Sequence, residues 1–158
     1  MATATLSVTH TESISLNDRE QGGTKTFTIA SIADVYKRIV TCQASSDTTI
    51  ATFQTFPHSS DNAIDLELTK YIRVTNLDDS NSVNLSLQVA GGEGGTANMS
   101  TTILLAAGES FAMGTPHDGI ALSDASAGIV VSLNDLESIL IDPGSNAVAV
   151  EVFVASTA

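Results

Sequence analysis

Val83-Asn84-Leu85-Ser86-Leu87-Gln88-Val89 alternates apolar and polar side chains without interruption. Successive side chains of a strand point to opposite faces, so a period of two gives this stretch one apolar face and one wet face. It is the clearest strand signal in the chain. Just upstream, Ile72 and Val74 alternate in the same way within Tyr71-Ile72-Arg73-Val74-Thr75. The intervening Asn76-Leu77-Asp78-Asp79-Ser80-Asn81 is rich in side chains that hydrogen-bond their own backbone in turns. Residues 71–89 therefore read as one hairpin.

The same pattern extends in both directions. Leu6 and Val8 share a face of residues 3–9, Ile14 and Leu16 share a face of residues 12–16, and residues 24–29 alternate again after a polar turn at 17–23. Residues 31–34 fit one helical turn, whereas 35–41 read as a strand. Residues 48–55 form another, with Ile50 and Phe53 inward, before a loop over 56–62 marked by Pro57 and its Ser and Asx residues. Ala90-Gly91-Gly92-Glu93-Gly94-Gly95 reads as a hairpin tip, followed by strands over 101–105, 110–113 and 129–133. Residues 134–141 are a helical turn or a strand entry. Asp142-Pro143-Gly144-Ser145-Asn146 breaks the chain, and residues 147–154 close it with Val148, Val150, Val152 and Val154 on one face. About ten short strands with turn signals every 8–14 residues or so mark an all-β fold. The expectation is a single antiparallel β-sandwich, jelly-roll-like, over residues 12–158, with residues 1–11 as an N-terminal arm.

Charge excludes some functions. The 158 residues carry 6 Lys+Arg against 18 Asp+Glu, a formal net charge of -12. Arg73 is the last basic residue, and the 10 carboxylates beyond it have no Lys or Arg among them. Nucleic-acid binding needs clustered basic side chains to displace counterions from phosphate, and an anionic membrane surface needs the same. Neither is expected as a partner. Hydrophobic residues at 42% are too many for a disordered acidic tail. The single cysteine, Cys42, forms no intrachain disulfide and reads as a small buried side chain. The first residues lack the basic start and apolar run of a secretory signal.

No arrangement of residues dictates a reaction. His10, His58 and His117 lie in or beside polar turns, at spacings that do not match a zinc motif, and none neighbours a nucleophile elbow. The glycines at 91–95 lack the Lys of a phosphate-binding loop. Asp78-Asp79-Ser80-Asn81 sets oxygen atoms densely enough for calcium to be considered, but in a spacing better suited to a turn. No catalytic, cofactor-binding or metal residue is assigned, and no cofactor is expected.

What remains is a surface. The last strand lacks the Lys and Pro that guard exposed sheet edges, so it either lies inside a sheet or is covered by a partner. The Thr-rich N-terminal segment is suited to pair with a neighbour. The expected interface residues are Thr3, Thr5, Leu6 and Val8 of the arm and Val150, Val152 and Val154 of the last strand.

Residues 71–78, Val83-Asn84-Leu85, the run Leu104-Leu105-Ala106-Ala107-Gly108-Glu109-Ser110-Phe111, the terminal residues 151–157 and the opening residues 9–17 together resemble small virion structural proteins of tailed bacteriophages. The resemblance implies a non-enzymatic part of the particle. It points first to a capsid cement or decoration protein, located in the virion, that binds the major capsid protein or other virion proteins as a homo-oligomer, with a trimer favoured. A tail, neck or fibre-attachment protein is the alternative within that class. A carbohydrate- or receptor-binding module and an enzyme are the alternatives outside it.

Overall fold

The computed structural model describes residues 3–55, 63–91, 99–122 and 128–158. Among these residues twelve strands run in chain order: β1 Ala4–Glu12, β2 Ser15–Leu16, β3 Arg19–Glu20, β4 Gly23–Cys42, β5 Thr48–Gln54, β6 Ile64–Asp65, β7 Thr69–Asn76, β8 Val83–Val89, β9 Met99–Leu105, β10 Ser110–Gly114, β11 Leu136–Asp142 and β12 Val148–Thr157. No α-helix occurs among the described residues.

The strands form two five-stranded sheets, ordered β1-β4-β12-β7-β10 and β6-β5-β11-β8-β9, and a small β2-β3 ribbon. Every ladder is antiparallel except the two-residue contact of β5 with β6. The pairings are nested. β8 pairs with β9, β7 with β10, β5 with β11 and β4 with β12, so a single folded-over ribbon is wound into two facing sheets. That winding is a jelly roll, in which the chain changes sheet at most connections. The all-β sandwich expected from alternation is the fold observed.

Alternation is what fills the space between the sheets. Val148, Val150, Val152 and Val154 of β12 are essentially fully buried and join Ile72 and Val74 of β7. From the other sheet, Val83, Leu85 and Leu87 of β8 and Ile139 and Ile141 of β11 meet them in the same cluster. β-Branched and leucine side chains compensate for the scarcity of aromatics, because a pleated surface packs them well. Cys42 is part of this cluster, and burial pushes its thiol pKa up.

Three local expectations are corrected by the fold, and a fourth, left open between two readings, is decided. Residues 71–89 are not a hairpin: β7 and β8 lie in opposite sheets, and their connection arches across the sandwich. Residues 24–41 are not two elements separated by a helical turn. They lie within the continuous 20-residue β4, in which Ser31 takes a left-handed φ of 62° where the β1 register shifts. Such an irregularity lets a long strand bend without ending. Residues 129–133 are not a strand in this protomer, and of the two readings of 134–141 the strand one holds, as β11 over Leu136–Asp142. The expected loop over 56–62 and most of the glycine-rich tip lie outside the described residues.

The arch between β7 and β8 is held by Asn76, which is fully buried. Its Nδ2 donates to the carbonyls of Asn81, Leu105 and Ala106, at 2.8, 3.2 and 3.1 Å, and its Oδ1 accepts from the Asp78 amide at 3.0 Å. One amide side chain thus ties the end of β7 to its own arch and to the β9–β10 turn. Asp78 closes the arch by accepting from the Ser80 and Asn81 amides through Oδ1, and these bonds lower its pKa. Asn76→Ala would strand a buried carbonyl and amide, and should cost about 1–3 kcal/mol in urea unfolding. Asn84→Ala, on the exposed face of β8, should stay within about 0.5 kcal/mol of the parent protein.

Candidate functional site

The N-terminal segment does not hang free. β1 pairs with the first half of β4, from Ala4 opposite Ile32 to Glu12 opposite Gly23, while β12 pairs only with the second half. Residues 4–31 therefore form a long hairpin that leaves the sandwich at the Ser31 irregularity. Its tip is well built. Asn17 and Asp18 both take positive φ, 53° and 59°, the geometry of the two-residue turns that suit strand twist. The Glu20 carboxylate accepts from the amides of Ile14 and Gly22 at 3.0 and 2.8 Å, which lowers its pKa. Gly22 is required there, since a Cβ would meet the Glu12 carbonyl oxygen at 2.0 Å. This order leaves Ile14 and Leu16 more than half exposed at the tip.

The base of the hairpin packs on the outer face of the first sheet. Leu6, Val8 and Ile29 join Ile32, Tyr71, Phe153 and Ala155 in a second hydrophobic cluster. Phe27 approaches Tyr71, whose ring meets Phe153 nearly edge-on, with centroids 6.2 Å apart. His10 stacks on Phe27. A groove of about 530 Å³ separates Leu6–His10 of β1 from Tyr71, Arg73, Ser110 and Ala112. Tyr71 is buried among its neighbours, so its face is not offered for stacking on a sugar.

Beside the groove, Glu151 is flanked by Arg73 and Lys37, at 2.5 and 3.1 Å. Arg73 also donates to Thr75, which reaches Ser110. The Arg73 and Lys37 hydrogen bonds hold the Glu151 carboxyl below its ordinary pKa. The three side chains lie across adjacent strands of one face, so the carboxylate cements β4, β12 and β7.

In the connection between β10 and β11, His117, Asp118 and Asp135 bring one ligand atom each within 4.8 Å of one another. His117 Nδ1 lies 3.1 Å from Asp135 Oδ1, and Nε2 lies 3.5 Å from Asp118. The same Asp135 oxygen accepts from the Asp118 amide at 3.0 Å. Nδ1 is buried without a well-aligned hydrogen bond even so. Among the described residues this is the group that could hold a metal, with three ligands from a loop and the residue before β11. It draws on one histidine and two carboxylates, and no local spacing in the sequence marks the meeting of His117 and Asp118 with Asp135. His10 lies apart on the hairpin, and His58 lies outside the described residues. Nearby, a cavity of about 710 Å³ is lined by Thr49, Thr52, Phe53, Asp135 and Glu137 among others, with no basic side chain among its described lining residues.

The expected interface residues separate into three groups. Thr3 and Thr5 are exposed near the start of β1. Leu6 and Val8 pack within their own chain, in the second cluster. Val150, Val152 and Val154 are core residues of a strand paired on both sides, so they present no surface to a partner. Of the two readings of the last strand, the fold takes the interior one. The sequence offered no sign of Glu151 as a charged centre, because its partners lie 78 and 114 positions away in the chain.

A depressed carboxyl pKa contributes stability above the unfolded value and loses it as pH falls through the folded value. Glu151→Gln should therefore cost most stability near neutral pH, with the difference from the parent protein shrinking below about pH 4, as read by thermal unfolding across a pH series.

No protein-family model matches the chain, and no curated protein matches it. Among solved structures, the chain is similar to one reported under the words "Bacillus endospore appendages form a novel family of disulfide-linked pili", at 15% identity and a TM-score of 0.44, covering 78% of this chain and 85% of that one. A likeness at this level carries no functional assignment.

Proposed function

We propose that the chain is a non-enzymatic structural protein that builds a larger assembly, and that the assembly is a tailed-phage particle, in which the chain acts as a cement or decoration protein on the shell. The observation that carries this reading is the amount and kind of surface the protomer leaves open. Its accessible surface is 9445 Å², where a compact monomer of its 16.3 kDa mass would show roughly 7500 Å². The hairpin contributes to the excess, with most of residues 4–31 exposed. A rigidly built tip carrying two bare apolar side chains is costly in isolation and useful at an interface. The resemblance of residues 71–78, 104–111 and 151–157 to virion proteins supports the phage setting.

Sedimentation of the full chain over a range of concentrations, with and without empty shells, tests the proposal. The expected result is self-association or shell binding that Leu16→Asp weakens, with the thermal midpoint unchanged. A strictly monomeric chain that binds no particle would overturn it. Labelled protein imaged on virions separates the two placements, since shell decoration supports the cement role and tail decoration moves the chain to the tail or neck.

A further inference from the structure

We infer that residues 129–133 are a β-strand that forms only between copies, by adding to the free edge of β4 in a second copy of this chain. Ile129-Val130-Val131-Ser132-Leu133 has the apolar, β-branched composition of a strand, yet it belongs to no sheet here. Ile129 is 94% exposed and Val131 88%, with Leu133 on the same face also exposed. No backbone hydrogen bond joins these five residues to the rest of the described chain; pairing begins only at Asn134, which bridges Ile120. An apolar strand sequence with an unpaired backbone is a template for addition to another sheet.

The matching edge is in the same sequence. Among the described residues, β4 over 33–41 pairs with β12 on one side and with no strand on the other. Its outward face carries Val35 and Ile39, 48% and 63% exposed, with Lys37 between them. Antiparallel addition sets Ile129 opposite Ile39, Val131 opposite the Lys37 stem and Leu133 opposite Val35, each pair on one face. Lys37 and Arg38 would ordinarily guard this edge against a basic or identical strand. Residues 129–133 are uncharged, so they avoid the like-charge repulsion that a second β4, with its own Lys37 and Arg38, would bring to this edge. Within one protomer the jelly-roll order separates the two: the loop follows β10, at the end of the sheet opposite the β4 side. Donor and acceptor are different surfaces, so the contact is head-to-tail and propagates into a ring or a filament.

This inference rests on the assembly reading and names its contact. The test mixes two variants of the full chain, Lys37→Cys and Val131→Cys, each in a Cys42→Ala background, under mild oxidation. A mixed disulfide dimer should form in the mixture, at a yield well above that of either variant alone. In the parent protein, Val131→Asp and Ile39→Asp should each weaken self-association about tenfold or more. Combining them should add little, since either one removes the same contact. Both sites are exposed, and matched thermal midpoints would verify folding. Assembly that persists unchanged in both Asp variants, or a cross-link no more frequent than the controls, overturns this contact while leaving the assembly reading intact. A parent chain that never self-associates overturns the contact outright, and shell binding then decides the assembly reading separately.

Discussion

Much of the structure depends on one strand being paired along both edges. β12 meets β4 through a ladder from Val148 opposite Cys42 to Thr157 opposite Ile32, and it meets β7 through another from Val150 opposite Asn76 to Ser156 opposite Thr69. A strand so held has its backbone satisfied on both sides and its valines fully buried on one face. β12 is also the partner of β4 in the outermost turn of the nested ribbon. The last residues of the chain therefore close a sheet begun more than a hundred residues earlier, and the inner pairs β5·β11, β7·β10 and β8·β9 sit within that closure. Long-range ladders of this kind slow folding, since the loop-closure entropy must be met before the pairing stabilises anything.

The two faces of the first sheet have different roles. The inner face is the sandwich core. The outer face carries Tyr71, Phe153 and Ala155, which would be a hydrophobic patch if the hairpin base did not cover it. Leu6 and Val8 thus pack within the protomer, and the apolar side chains left exposed lie farther out, at the tip of the hairpin and along β4. Charge follows a related division. All six basic residues lie on β3, β4 and β7 or directly beside them, and Glu151 is the carboxylate set between two of them. The other sheet offers an outer face of Asn84, Ser86, Gln88 and Asp142 with no cation. A molecule divided in this way favours unlike surfaces meeting over like ones.

Period-two alternation is a local property, and it was legible wherever one face of a strand is buried. It identified the core faces of β7, β8 and β12 from single residues: Ile72 and Val74, Val83 to Val89, and Val148 to Val154. Turn chemistry likewise marked the break at 142–146, where Gly144 takes φ 67° and donates to Asp142. Alternation misled where the same pattern serves an exposed ribbon, since Ile14 and Leu16 alternate as well as any core strand does, and apolar composition misled at 129–133, which belong to no sheet. Asn76 was read only as part of a turn. Its role depends on carbonyls 29 and 30 residues away, which no local pattern encodes.

By itself, then, the chain's alternation and turn chemistry determined that it would be an all-β sandwich, where most strands would lie and which side of each would be dry. Tertiary structure decided which strands are neighbours. The six residues between β7 and β8 could close a hairpin or an arch with equal local chemistry. The arch prevails because both strands bury their apolar faces against each other across the sandwich, and because Asn76 finds its acceptors only there. The same long-range pairing fixed β12 at the centre of its sheet and left residues 129–133 outside one, since strand partners are chosen by burial and backbone satisfaction over the whole fold and not by the sequence of either strand alone.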